Sequence, residues 1–399
     1  MVAKPRLLLA VASALTLVLT AAAPMSAATK EAKPSPLRAA NLLRVKDIAA
    51  NGNTKGGAIV AIGWHEASKP GRLYLTFSRN GGKDFYRNSN GNLRRYPIVG
   101  EPKLGMSIDV CAGRVWAATG YSSPSDKAGD SDVFLTSRTI GGGAAQALLT
   151  STSADRRVRD VTVSCVSNEL IAIGWLQKTA NKTTAQLMLR SLEQLGTTPS
   201  FKKTYNLGSA ELKSGLDVAA TASSVAVTFV RDGHLRLKRF DIEAPTNVTS
   251  NPLRTIAWKD IKQPVMDARG KRLAVAYSDA GKVRVKTSRD LGVTLSKPST
   301  LAGTGGIKNP SRAYSLDLVG DRVVATLGVY SKAAGKVTPQ RLTSSTFGEK
   351  WSKRSFGNRG ARYAALLKKK GQGPLVVETW HNNAAKGARD TLRARYELP

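Results

Sequence analysis

The chain has 399 residues, 41% of them hydrophobic, which is enough apolar material for a sizeable core and excludes an intrinsically disordered polymer. Two cysteines are too few for a disulfide-dense scaffold. Lys and Arg number 61 against 28 Asp and Glu, a formal charge of +33, which suits either solubility in a particular environment or a polyanionic partner.

In chain order, Lys4 and Arg6 precede the apolar run 7–23, and small residues follow up to Ser26-Ala27-Ala28. This three-part layout is that of a secretory signal peptide over residues 1–28, with an uncleaved anchor as the alternative. No later stretch is long and apolar enough to span a bilayer, so the mature chain is expected outside the cytoplasm without a transmembrane segment. Residues 29–35 are read as a linker and 36–399 as a single domain.

Beyond Leu37 the chain has little helical periodicity but many short β-branched runs separated by Gly, Asn, Asp and Ser. A unit recurs roughly every 50 to 60 residues, the range of propeller blades. Its clearest marker is an apolar strand ending in an aromatic, as in 59–64, 170–175, 225–229, 273–277 and 375–380, with looser copies at 116–121 and 323–330. A second strand follows each marker after a polar loop, at 73–77, 133–136, 187–190, 235–238, 283–286, 340–343 and 392–395. Both counts reach seven, predicting an all-β, seven-bladed propeller, with six blades as the alternative.

A third strand precedes the marker and ends near Asp109, Asp217, Asp267 or Asp317, which are read as turn formers. Outer strands fall near 94–99, 201–205 and 295–301. The last unit lacks one, and Lys33-Pro34-Ser35-Pro36-Leu37 reads like Lys297-Pro298-Ser299-Thr300-Leu301. Residues 36–43 are therefore expected to complete the final blade and remove an unpaired edge. Cys111 and Cys165 occupy matching positions in the second and third units, which suits either a disulfide between neighbouring blades or two buried thiols.

After several second strands comes a small polar turn. It reads Ser78-Arg79-Asn80-Gly81-Gly82-Lys83-Asp84-Phe85 and Ser288-Arg289-Asp290-Leu291-Gly292-Val293-Thr294-Leu295, then Ser344 with Thr346, Gly348 and Trp351; Ser137, Thr139 and Gly141 make a fainter copy. These turns resemble the Asp-box, or BNR repeat, of sialidase-like propellers, and the resemblance extends over nearly the whole mature chain as a blade pattern. It implies a structural role for the box, on the ring face opposite the substrate pocket.

Sialidases add an arginine triad, a tyrosine nucleophile with a glutamate beside it, and an aspartic acid. The Arg-Ile-Pro-type motif that marks the first arginine is missing here; Leu37-Arg38 and Leu43-Arg44 come nearest and lack the proline. Arg312 with Tyr314 and Arg362 with Tyr363 are the Arg/Tyr pairs to test as a remnant catalytic pocket, against a reading as solvated strand ends.

Loops on the expected ligand face carry Trp64-His65-Glu66 and Trp380-His381, in units that ring closure makes neighbours. Packing of the tryptophans between blades and an acid/base or metal site are the competing readings. Basic residues recur there too, including Arg157, Arg159 and Arg231, with Lys178, Lys182, Lys259 and Lys262. No cofactor, no metal and no specific nucleic acid are expected, and a monomer is.

The function expected is binding of an acidic glycan, cell-wall polymer or other polyanion, without a recognisable catalytic set. The alternatives are an exo-sialidase-like glycoside hydrolase with a diverged active site and a protein-interaction scaffold.

Overall fold

The computed structural model describes residues 35–37 and 43–397 except for 55–56, 67–71, 83, 86–93, 123–129, 140–142, 150–155, 193–198, 259, 303–311, 332–335, 356–361, 368–374 and 383–390. The expected signal segment lies outside the described residues. Among those described, every strand belongs to one of seven antiparallel sheets, and no helix is long and apolar enough to cross a membrane. The architecture is an all-β propeller.

Each sheet is built on a run of consecutive antiparallel strands, to which the fourth adds Arg254–Ala257 beside its third strand and the seventh adds an outer strand from the other end of the chain. Its innermost strand is, in chain order, Leu43–Thr54, Met106–Cys111, Arg157–Cys165, Leu216–Thr221, Ile261–Arg269, Arg312–Val319 or Arg362–Leu367. These strands contact one another in sequence, and the last contacts the first. An apolar core fills each gap between adjacent sheets, including the gap between the seventh sheet and the first, where Leu367 and Val377 meet Ile48 and Val60.

Packing on both faces explains the sequence marker. The second strand of each sheet is covered on either side, so Leu170–Leu176 is buried without interruption and reads as a continuous apolar run. The innermost strands alternate instead. In Met106–Cys111 the apolar Met106, Ile108 and Val110 turn into the core, while Ser107 and Asp109 face the central channel.

The fourth strand of the seventh sheet is Ser35–Leu37, with Ser35 opposite Ala394, Pro36 opposite Arg393 and Leu37 opposite Leu392. The expected closing segment is thereby corrected. It begins one residue earlier, inside the supposed linker, and Leu43 already starts the innermost strand of the first sheet. Pro36 suits an outermost strand, where no further partner needs its missing N–H.

The three better-matched polar turns share one bonding scheme. Ser78 Oγ accepts the N–H groups of Asn80 (3.3 Å) and Gly82 (3.0 Å), and Asn80 Oδ1 accepts Asp84 N–H at 2.9 Å. Ser288 serves Asp290 (3.2 Å) and Gly292 (2.7 Å), with Asp290 Oδ1 accepting Thr294 N–H. Ser344 serves Thr346 (3.2 Å) and Gly348 (2.9 Å), with Thr346 Oγ1 accepting Lys350 N–H. Gly82, Gly292 and Gly348 have φ of 87°, 88° and 88°, the left-handed region that favours glycine. In the faint fourth copy Gly141 lies outside the described residues, and Thr139 Oγ1 accepts Gly143 N–H instead.

Candidate functional site

The innermost strands enclose a central channel of about 670 Å³. Its wall carries Asp47, Asp109, Asp217, Asp267 and Asp317, one from each of five sheets. Four of these were expected to form turns, and the structure corrects that. Each lies within a strand, and the tight turn that ends Met106–Cys111 is made by Ala112 and Gly113, both with positive φ.

The carboxylates act as latches between sheets. Oδ2 of Asp47 accepts Ile108 N–H (2.8 Å), and that of Asp109 accepts Cys165 N–H (2.7 Å). Asp217 reaches Met266 N–H (2.6 Å), Asp267 reaches Leu318 N–H (2.8 Å) and Asp317 reaches Leu366 N–H (2.7 Å). Between the third and fourth sheets Ser164 Oγ does the same for Ala220 N–H at 3.0 Å. In Asp47, Asp109, Asp217 and Asp317 the other oxygen accepts the N–H of the next residue, so both carboxylate oxygens are engaged by backbone.

Enclosure away from water dominates their acidity. Burial pushes Asp47 up to about 7 and Asp217 to about 6, against the opposing pull of the backbone N–H bonds and, at Asp217, of the Thr162 hydroxyl. Burial likewise raises Asp109, and it raises Asp267 well above the usual range with the neighbouring Asp317 adding to the effect. Arg269 stands 3.9 Å from Asp267 and 4.0 Å from Asp317. Its partial enclosure in the channel disfavours the charged form, but the charges of Asp267, Asp317 and Asp109 outweigh that and hold its proton more tightly than usual. Among the described residues Arg269 is the one arginine on the channel wall.

At one mouth of the channel lies Asp160, in the bulge between Arg159 and Thr162, with φ of 50°. Gly105 presses against it, so closely that a Cβ there would come within 2.8 Å of Val161 N. Burial lifts Asp160 to about 6, with the Arg159 charge opposing.

Around this mouth three consecutive sheets present exposed basic side chains at the same end. In the third, Arg157 is opposite Lys178, and Lys182 follows in the adjoining hairpin loop. In the fourth, Lys213 precedes the innermost strand, and Arg231 ends the second strand, paired with the exposed Asp232 at 3.3 Å. In the fifth, Lys262 is the second residue of the innermost strand and Lys282 opens the third strand. Asp260 and Asp279 are the nearby acids of the fifth sheet, and Asp279 is ion-paired with Arg284.

The other candidates fall elsewhere. Trp64 is fully buried and stacked on Tyr74 (centroids 4.8 Å), inside the core between the seventh sheet and the first, so it is not a ligand-face residue. Tyr363 packs against the same core. His65 is nearly buried, on the wall of a groove of about 850 Å³ shared with Arg72, Lys103 and Tyr121. His65 is opposite Arg44, Trp380 opposite Arg362, and His381 opposite Leu392; the side chains of Glu66, Arg312, Tyr314, Arg362, Trp380 and His381 lie outside the described residues. Arg157, Arg159 and Arg231 belong to the basic end. Cys111 and Cys165 form a disulfide between the second and third sheets. Among the described residues no three His, Cys, Asp or Glu side chains are grouped to hold a metal ion.

Asp47, Asp160 and Trp258 were not singled out from the sequence. A signal for the first existed, because one acid followed directly by an apolar residue recurs in each of five innermost strands, the pattern of a channel-facing strand residue.

No protein-family model and no curated protein matches the chain. Solved structures do. An ulvan lyase, described as a new family of polysaccharide lyase, superposes with a TM-score of 0.54 at 9% identity, covering 92% of this chain and 95% of that one. The NanB sialidase of Streptococcus pneumoniae gives 0.43 at 13% identity over 90% of this chain and 68% of its own. A β-propeller domain from Myceliophteria thermophila gives 0.48 at 12%, covering 92% and 99%. At such identities the similarity concerns the fold alone.

Proposed function

We propose that this chain is an exported, seven-bladed propeller of sialidase-like architecture that binds an acidic glycan or cell-wall polymer through the basic end of its third to fifth sheets. The observation that carries the reading is the placement of charge. Five of the 28 acids are turned into the channel and tied to backbone N–H groups, while Arg157, Lys178, Lys182, Lys213, Lys262 and Lys282 stand exposed around its mouth. The outward-facing charge is therefore more lopsided than the formal total, and such a field gathers polyanions and speeds their encounter. A polysaccharide lyase with this fold supports a glycan as the partner.

The test is binding of the mature protein to oligogalacturonate and to heparin across a salt series. Affinity is expected to fall steeply with ionic strength, and Arg157→Glu combined with Lys178→Glu and Lys182→Glu is expected to abolish it. Binding that ignores both salt and the triple substitution would overturn the reading and favour a protein-interaction scaffold.

A further inference from the structure

Among the described residues two large apolar side chains are left exposed, Trp258 and Val293, and Trp258 is 69% accessible. Trp64, Trp116 and Trp175 are buried and Trp351 packs half-buried against a core, so among the described side chains Trp258 is the exposed tryptophan. Its position is built. Ala257 pairs with Leu235, which brings Trp258 beside His234, and the two rings meet edge to face at 5.0 Å and 90°. The hairpin loop holding His234 is itself anchored, with Gly233 N–H donated to Glu211 and Ile261 N–H donated to the Gly233 carbonyl. Five residues beyond Trp258, Gln263 is already part of the channel wall.

We propose that Trp258 is the stacking platform of a subsite for an anionic pyranoside, on the rim between the channel mouth and the basic end. This rests on the polyanion reading and deepens it. The C–H face of a pyranose ring lies flat on an indole, and the perpendicular contact with the His234 imidazole restrains that platform from rotating. Lys262 and the half-exposed Arg231 supply cations for the carboxylate or sulfate, while Asp232 and Asp260, exposed in the same patch, accept hydrogen bonds from ring hydroxyls. Single-stranded nucleic acid calls for successive aromatics along a groove, and one indole answers better to one sugar ring.

The experiment is titration calorimetry of the mature chain with an oligogalacturonate, a sulfated oligosaccharide and inorganic polyphosphate, for the wild type and Trp258→Ala. Trp258→Ala is expected to weaken the saccharides about tenfold and to leave polyphosphate within about twofold, with Trp258→Phe recovering part of the loss. The stronger of the two saccharides identifies the anionic group. Equal binding of saccharide by wild type and Trp258→Ala, or loss confined to a single-stranded polynucleotide added as a fourth arm, overturns the subsite while leaving the polyanion reading intact. A wild type that binds neither saccharide nor polyphosphate overturns both. Circular dichroism of Trp258→Ala checks that the fold is retained.

Discussion

Arg341 Nη1 stands 3.2 Å from Glu378 Oε1, joining the sixth sheet to the seventh through side chains that are 9% and 0% accessible. A charge withdrawn this far from water is tolerable only with its partner in place. Glu378→Ala should therefore lower the unfolding free energy by about 3–5 kcal/mol, read from urea denaturation. Arg341→Met combined with Glu378→Leu should restore most of it. A loss below about 1 kcal/mol in the single variant would show that the pair is not holding this junction.

The channel acids make stability depend on pH in the less familiar direction. Asp47 at about 7 and Asp217 at about 6 sit above the ordinary value of 3.8, so in that interval the folded chain binds more protons than the unfolded one. Their contribution is complete below about pH 4 and is lost as pH rises through 6 and 7. The difference in unfolding free energy between wild type and Asp47→Asn should fall by up to about 4 kcal/mol between pH 4 and pH 8. A flat difference would show that Asp47 titrates normally.

The Cys111–Cys165 bond closes a loop with a sequence separation of 54 between neighbouring sheets. Cross-linking restricts the unfolded chain, so Cys165→Ser should cost about 2–5 kcal/mol. The oxidised wild type should lose a similar amount when unfolded in the presence of a reductant, and indifference to reductant would contradict this.

The serine-centred turns should be unequal in worth. Ser288→Ala leaves the N–H groups of Asp290 and Gly292 without their acceptor, at a cost of about 1–3 kcal/mol, and Ser344→Ala should behave alike. Ser137→Ala removes a contact with the Arg114 guanidinium and should cost less, as denaturant midpoints will show. Equal losses at all three positions would mean that the shared bonding scheme carries no special stability.

The propeller was legible because its chemistry is local and repeated. A strand covered on both faces must be apolar throughout, and the stretches around Trp64, Trp175 and Tyr277 display this without any knowledge of their neighbours. The polar turns were legible for the same reason, since Ser288 and Gly292 sit four residues apart. The site was less so. Trp64-His65 looked like a ligand-face pair because both are polar-capable and near a strand end, but sheet-on-sheet packing buries the indole.

Local residue types therefore determined a repeating four-stranded unit, its turns, and a chain far more basic than acidic. Only the ring decided which acids leave the surface, because Asp47 and Ile108, or Asp317 and Leu366, become partners when separate sheets pack side by side. It also decided that Trp258 stays outside while three other tryptophans go in. Burial is a property of distant segments brought together, and no window of sequence contains both halves of such a contact.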